Sequence, residues 1–355
     1  MLYYQSALAL KLPCQIETYI DGFSFYFSGK RYYLCITFTP FNNGSSDNIA
    51  RNKYCVNKLL HEANIPVPKA FVILKSQFYD NQMDLGFIEY PVVAKPTIDG
   101  SFGDDVFCNI KDEKTLRDYL NKLFKRHQRV SIEKFEANLR SYRVLVSQNK
   151  ILDIIETVPA HVMGDGVHTL TELIEITNKE REKRIANAEV SPSVIKIEEE
   201  HHAKLSEIGV SLSDIPRKDQ RIDLCYKPNS TCGGTMKSAA GLVCPENIAL
   251  ILKAAKTLSL DFVGFDLICE DISKPIGPTR GFFIEANYAP GIQLHEKPTD
   301  GVKNCVTRKA LVGFLKKRHP LAYFWHRIRT MKGAHFYFKC IVLLGAIFFF
   351  YIKIV

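Results

Sequence analysis

Apolar and polar residues alternate through residues 19–38, YIDGFSFYFSGKRYYLCITF, with the period of half-buried strands folded about a Gly turn. The polar run FNNGSSDN then reads as a loop. In NKYCVNKLLHEA the period changes: Cys55, Val56, Leu59, Leu60 and Ala63 share one helical face, and Pro66 and Pro68 stop it. A first subdomain is expected to close near residue 88. Beyond it strands and helices alternate, with YPVVAKP as strand, EKTLRDYLNKLFKRH as helix, VSIEKF as strand and RVLVSQNKILDII as further strand. Residues 171–215 read as largely helical and charged, the Glu run 198–200 forming a solvated face. A helix in ENIALILKAAKTLSL leads into FVGFDLICE and GFFIEAN. This order predicts an α+β protein whose antiparallel sheets clamp a ligand between lobes.

A length of 355 residues allows two or three subdomains. Residues 301–355 hold eleven of the 47 Lys and Arg and no Asp or Glu, leaving 36 against 38 before them. The basic character therefore belongs to the tail, and with no helix-turn-helix, zinc-finger or RNA-binding aromatic pattern, nucleic acid is not an expected partner. The ten cysteines stand singly, with no CxxC pair, and read as reduced thiols. MLYYQSALALKLPCQIE lacks the features of a secretory leader. Residues 340–352 carry no charge, and the run widens to 336–355 if Lys339 and Lys353 snorkel. With the basic apron Lys316, Lys317, Arg318, Arg327, Arg329 and Lys332 before it, this pattern predicts a basic juxtamembrane segment at 316–333. A membrane anchor at 334–355 would then hold a cytoplasmic body against the anionic leaflet.

Three oxygen-bearing residues stand out. Asp266 lies in VGFDLIC, and nineteen residues later Glu285 and Asn287 lie in FFIEAN. Side chains alternate along a strand, so Glu285 and Asn287 point to one face, and Asp266 meets them if the two strands pair. Two carboxylates and an amide carbonyl are hard donors suited to magnesium. Lys95 ends the apolar strand PVVA, and the loop after it, DGSFGDD, brings Gly100, Ser101 and Gly103, whose backbone can approach a triphosphate closely. Lys53, on the polar side of its helix, is a second phosphate cation. Glu133, Lys134 and Phe135 form a hinge for adenine, although Glu133 and Glu136 also read as merely exposed. Gly164-Asp165-Gly166 followed by Thr169-Leu-Thr-Glu172 reads as a turn and a helix cap. The loop NSTCGGT, residues 229–235, offers small and hydroxyl residues to a carboxylate or acyl phosphate.

Together the strings SDNIARNKYCVNKLLHEANIPVP, PVVAKP, IEKF, YRVLV, PAHVMGDGVHTLTELIEITN, NSTCGGT, GFDLICEDISKP and IEANYAPGIQLH resemble the ATP-grasp ligase module of cyanophycin synthetases. They are similar also to the module of the fused bacterial glutamate-cysteine ligase/glutathione synthetase. The likeness runs over residues 46–315, after an N-terminal lobe at 1–45. It implies an ATP-grasp fold with a nucleotide lobe at about 89–145 and a metal-binding lobe at about 220–300. It further implies ATP, two magnesium ions or manganese in their place, and an acyl phosphate attacked by an amine. On this resemblance Lys53 and Lys95 match phosphate-contacting lysines, Glu133 with Phe135 the adenine hinge, and Asp266, Glu285 and Asn287 the metal ligands.

The departures bear on substrate. Gly103, Asp104 and Asp105 replace a GxG phosphate loop, and Ser141 stands where an acid would hold ribose. Cys225 replaces an arginine, leaving Lys227 or Arg221 for a developing oxyanion, with Asn229 beside them. Members named for cyanophycin carry further catalytic domains for which this length leaves no room, so cyanophycin synthesis itself is not expected. The expected reaction is carboxylate–amine ligation on an amino acid or short peptide. The alternatives are a ligase modifying a ribosomal peptide and a tethered ATP-binding protein without turnover; a homo-oligomer is left open.

Overall fold

In the computed structural model, residues 1–80, 83–98, 105–191, 193–301, 303–330 and 334–354 are described. The chain divides into two compact units, one made of Met1–Phe41 with Thr307–Val355 and the other of Asn42–Val306. The first begins with α1 (Leu2–Ala9), where only strands were expected, and an antiparallel sheet β1 (Cys14–Glu17), β2 (Gly22–Phe27), β3 (Lys30–Cys35). Ser28 and Gly29 turn the β2–β3 hairpin with φ of 51° and 75°, a left-handed pair that matches strand twist. Phe23, Phe25, Phe27 and Leu34 are buried beneath it.

The second unit opens with a difference from the sequence pattern: FNNGSSDN is not a loop throughout but enters α2 (Gly44–Arg51). Asn43 caps it by accepting from the Ser46 backbone N–H at 2.9 Å, which offsets poor intrinsic helix propensity. Asn52 likewise accepts from Tyr54 and Cys55 N–H, both at 3.1 Å, to start α3 (Lys53–Glu62). Then follow β4 (Ala70–Leu74), α4 (Lys75–Asp80), β5 (Val92–Pro96), β6 (Phe107–Ile110), α5 (Glu113–Leu123) and β7 (Arg129–Lys134). These strands form an antiparallel sheet ordered β4-β7-β5-β6. Its Ile73, Val92, Ala94, Ile110, Val130 and Ile132 pack with Leu116, Leu120 and Leu123 of α5. Period two therefore sends Lys95, Ser131 and Glu133 to the opposite face.

The chain continues through β8 (Arg140–Ser147), β9 (Lys150–Val158), β10 (His161–Met163), α6 (Leu170–Ala186), α7 (Glu199–Glu207) and β11 (Arg221–Asp223). After these come β12 (Thr235–Ser238), α8 (Pro245–Thr257), β13 (Phe262–Cys269), β14 (Gly281–Asn287) and α9 (Gln293–Glu296). Thr169 and Glu172 do make the expected capping box on α6. The larger antiparallel sheet is ordered β12-β9-β8-β13-β14, while β10 and β11 pair separately. Residues 140–145 thus belong with the acidic strands, not with the nucleotide lobe to which the sequence assigned them. Tyr142, Val144 and Val146 of β8 and Val263, Phe265 and Leu267 of β13 pack with Val56 and Leu60 of α3 and Ile251 of α8. Burying each such side chain contributes about 1.5–3 kcal/mol, which fixes the register and leaves Arg143, Gly264 and Asp266 on the other face.

Three helices close the chain: α10 (Val306–Arg318), α11 (Pro320–Thr330) and α12 (Ala334–Ile354). Residues 307–315, placed by the sequence with the catalytic body, pack instead in the first unit, where Phe314 meets Tyr32 and Phe41 at ring distances of 5.1 and 5.0 Å. The C-terminal apolar helix is present, but the expected spanning anchor is not: among the described residues no helix is long and apolar enough to cross a membrane. Lys339 and Lys353 confine the uncharged run to residues 340–352, about 20 Å of helix against a hydrocarbon core of about 30 Å.

Candidate active site

Cross-strand pairing assembles the acidic cluster. Asp266 of β13 stands opposite both Glu285 of β14 and Arg143 of β8, and Gly264 opposite Asn287. The Asn287 side-chain amide donates to Asp266 Oδ2 at 3.1 Å. Arg143 grips the same carboxylate with two donors, Nε to Oδ1 and Nη2 to Oδ2, the latter at 2.9 Å. Glu285 Oε1 meets Lys53 Nζ at 3.1 Å. Asp266 and Glu285 keep 24% and 27% of their side-chain surface, so both are reachable from solvent. Burial raises the Asp266 carboxyl above its ordinary range; Arg143 opposes this and the Glu285 charge adds to it.

Hard oxygen donors on two mutually repelling carboxylates fit a divalent cation, whose charge would relieve that repulsion. Among the described residues no group of three or more His, Cys, Asp or Glu gathers as a metal site. The candidate ligand set is therefore the two acids with the Asn287 amide.

Both candidate phosphate lysines are buried and ion-paired. Lys53 is not on an exposed helical face: it is 7% exposed at the first turn of α3, with its backbone N–H bonded to Thr97 O at 2.9 Å. Lys95 does not end its strand in solvent, because Pro96 continues the pairing with Val130. Its ammonium is 5% exposed and meets Glu133 Oε2 at 2.8 Å. Glu133 is accordingly a buried counter-ion and not an exposed acid, and Glu136 pairs with Arg280 at 2.8 Å. Lys134 reaches Glu89 at 3.7 Å, and the N–H groups of Lys134 and Phe135 already donate to Lys69 O and Pro91 O. What the hinge still offers a base is carbonyl oxygens and the Phe135 ring. Gly100, Ser101, Gly103 and Asp104 lie outside the described residues. Asp105 is held by His127 Nε2 at 2.7 Å, so its charge is partly offset.

Lys227 pairs with Glu200 Oε2 at 2.6 Å, which overturns the reading of the Glu run as a solvated face at that residue. Both charges act on Cys108, as do those of Lys95 and Glu133, so the two ion pairs flank one region of β6. Cys225 is core: 1% exposed, with burial pushing its thiol up to about 12. Arg221 is not brought into the site. It and Asp223 share the outer face of β11 and pair at 2.7 Å, while Ile222 between them is buried. Ser141 accepts from Thr157 Oγ1 at 2.9 Å.

The loop carrying Asn229 is pinned by hydrogen bonds. Asn229 O accepts from Gly234 N–H at 2.8 Å, and buried Arg181 donates to Gly233 O at 2.7 Å. Gly233 has φ of +85°, and a Cβ there would come within 2.7 Å of Ile195 Cα.

Sequence reasoning missed Arg143, Tyr226 and His295. A lone cation in an apolar strand was the available signal for Arg143. Tyr226 packs edge-on against Phe135 at 5.6 Å, lies 4.0 Å from Lys204 Nζ, and receives Asn109 Nδ2 at 2.9 Å on its hydroxyl, which donates to Glu207. His295 Nδ1 meets Asp153 Oδ2 at 2.8 Å, and Asn304 donates to the other Asp153 oxygen at 3.1 Å.

Comparison with known proteins follows the same outline. No family model matches the chain. It is 31% identical over 269 residues to the cyanophycin synthetase of Synechocystis sp., covering 74% of this chain and 30% of that protein. Over 273 residues it is 27% identical to the glutathione biosynthesis bifunctional protein of Mannheimia succiniciproducens, covering 74% of this chain and 35% of that one. The chain thus spans about a third of the length of these relatives. In fold it is similar to the bifunctional glutathione synthetase of Pasteurella multocida, with a TM-score of 0.61, 22% identity, and coverage of 89% of this chain and 43% of that structure.

Proposed function

Because the chain belongs to the ATP-grasp superfamily, we propose that it joins a carboxylate to an amine at the expense of ATP, acting on an amino acid or short peptide. The observation that carries this reading is the cross-strand cluster of Asp266, Glu285 and Asn287 with Arg143 and Lys53 against it. In this reading a substrate carboxylate oxygen attacks the γ-phosphorus, the bond to the β-phosphate bridging oxygen breaks, and ADP leaves. The amine then attacks the acyl carbon and phosphate departs, the amine proton passing to solvent. Such chemistry depends on charge placed around the transferring group more than on a protein nucleophile.

Lys95 and Lys53 offset phosphate charge, Lys95 by exchanging Glu133 for the nucleotide. Lys134, Phe135 and Tyr226 border the base. Asp266, Glu285 and Asn287 hold magnesium, two ions in the family pattern, which supplies neutralisation of the phosphate oxygens. Lys227 and Asn229 face the acyl group. At the C-terminus, α12 lies against an anionic leaflet without spanning it. Phe336, Phe338, Leu343, Leu344 and Phe348 are each more than 60% exposed, and Lys316, Lys317, Arg318, Arg327 and Arg329 precede them with no acid after Asp300.

The test is phosphate release from magnesium ATP by the full chain, challenged with pooled amino acids and dipeptides, beside Glu285→Ala. Substrate-stimulated release that the substitution abolishes is expected. ATP binding with no stimulation by any pool would sink the ligase reading.

A further inference from the structure

Away from the acidic cluster, the unit built from Met1–Phe41 and Thr307–Val355 contains a cavity of about 330 Å³ lined by Lys30, Tyr32, Pro40, Phe314, Arg318 and His319. Its charged lining has one sign. Lys30 and Arg318 face it with no acidic residue on the wall, and among the described residues neither has an acidic partner. The imidazole between them is fixed: His319 Nε2 and the Tyr32 hydroxyl are 2.6 Å apart, and the ring packs edge-on against Phe27 at 5.6 Å and Tyr32 at 5.9 Å. Both cations act on it. After burial, the charges of Lys30 and Arg318 hold the His319 pKa below its ordinary value, and Arg318 acts on the Tyr32 hydroxyl as well. Pro40 and the half-buried Tyr32 ring give the lining its apolar surface, Phe314 being almost fully buried.

Two like charges converging on one cavity repel each other, and an anion seated between them turns that repulsion into attraction. A guanidinium fork and an ammonium offer donors in several directions, which suits the tetrahedral oxygens of a phosphate better than a planar carboxylate. The apolar lining fits the carbon skeleton that a phosphate ester carries and an inorganic ion lacks.

We propose that this cavity binds a phosphate ester, presented by the headgroup of an anionic phospholipid. The phosphate site stands on the cavity alone, while its lipid source rests on the membrane contact proposed above for α12. Arg318 ends α10, and exposed Phe324 and Trp325 follow on α11 with Arg327 and Arg329, so apolar and basic groups share the segment that borders the cavity.

The experiment titrates the full chain calorimetrically with glycerol 3-phosphate. In parallel it measures flotation with phosphatidylcholine vesicles, with and without phosphatidylglycerol. Lys30→Gln and Arg318→Gln, both at exposed positions, are each expected to weaken glycerol 3-phosphate binding about ten-fold. Lys218→Gln removes the same charge at an exposed position outside both the cavity and the basic segment, and is expected to change it less than about two-fold. Phosphatidylglycerol-dependent flotation should fall with the first two variants and not the third. Absence of glycerol 3-phosphate binding by the unaltered chain, or equal losses in all three variants, would overturn the site. Cavity-dependent binding of glycerol 3-phosphate with flotation indifferent to phosphatidylglycerol would keep the site and overturn the lipid source. Both readouts measure binding, so failure of the ligase reading leaves them unaffected.

Discussion

The two large sheets of the Asn42–Val306 unit carry charge on one face each, yet they carry it in different states. On the four-stranded sheet Lys95 and Glu133 are 5% and 4% exposed and bonded to each other. On the five-stranded sheet Asp266 and Glu285 remain about a quarter exposed, with Arg143 and Lys53 against them. A sealed pair couples function to folding, because losing one partner strands a charge in low dielectric. Accessible acids separate the two, since solvent compensates much of any change. The first sheet must therefore open its pair to use its lysine, whereas the second presents its carboxylates as it stands.

That contrast is most sharply tested at Lys95. Lys95→Met is expected to lower unfolding free energy by about 3–5 kcal/mol in urea titration, and Lys95→Met with Glu133→Leu to recover most of it while turnover stays lost. Recovery of turnover along with stability would mean the pair is structural only. A smaller effect separates the two cations left for the acyl group. Lys227→Gln is expected to lower kcat by about ten-fold or more. Arg221→Gln, already paired outward with Asp223, should leave steady-state rates within about two-fold.

The smallest effect is in the pH dependence of the five-stranded sheet. Burial holds His295 below its ordinary pKa despite Asp153, so the folded state binds fewer protons than the unfolded state as pH falls below about 6.5. Stability then decreases on acidification through that window. His295→Gln is expected to flatten this slope in urea unfolding measured between neutral and mildly acidic pH, and an unchanged slope would remove His295 from the account.

How much of this was legible beforehand depended on whether one strand or several had to be known. Asp266, Glu285 and Asn287 could be read together because period two and a single connecting loop settle their faces. The β2–β3 hairpin and the α6 capping box are local in the same way. The burial of Lys95 and Glu133 against each other was not legible, because neither shows its partner until β5 and β7 pair. Glu200 and Tyr226 needed contacts across α7 and β6, for which no local period exists. The α2 segment hid behind Gly, Ser and Asn, which favour turns unless a cap such as Asn43 is engaged. At the C-terminus the apolar pattern did mark a helix, but pattern alone overstated its reach past Lys339.

The most direct measurement is acyl-phosphate trapping. Full-length chain with magnesium ATP, pooled amino acids and dipeptides, and hydroxylamine in place of the amine should form hydroxamate in step with phosphate release. Glu285→Ala should form none while still unfolding as a cooperatively folded protein, with some loss of stability because buried Lys53 loses this carboxylate. ATP hydrolysis without hydroxamate, or hydroxamate formation that survives Glu285→Ala, would contradict the account.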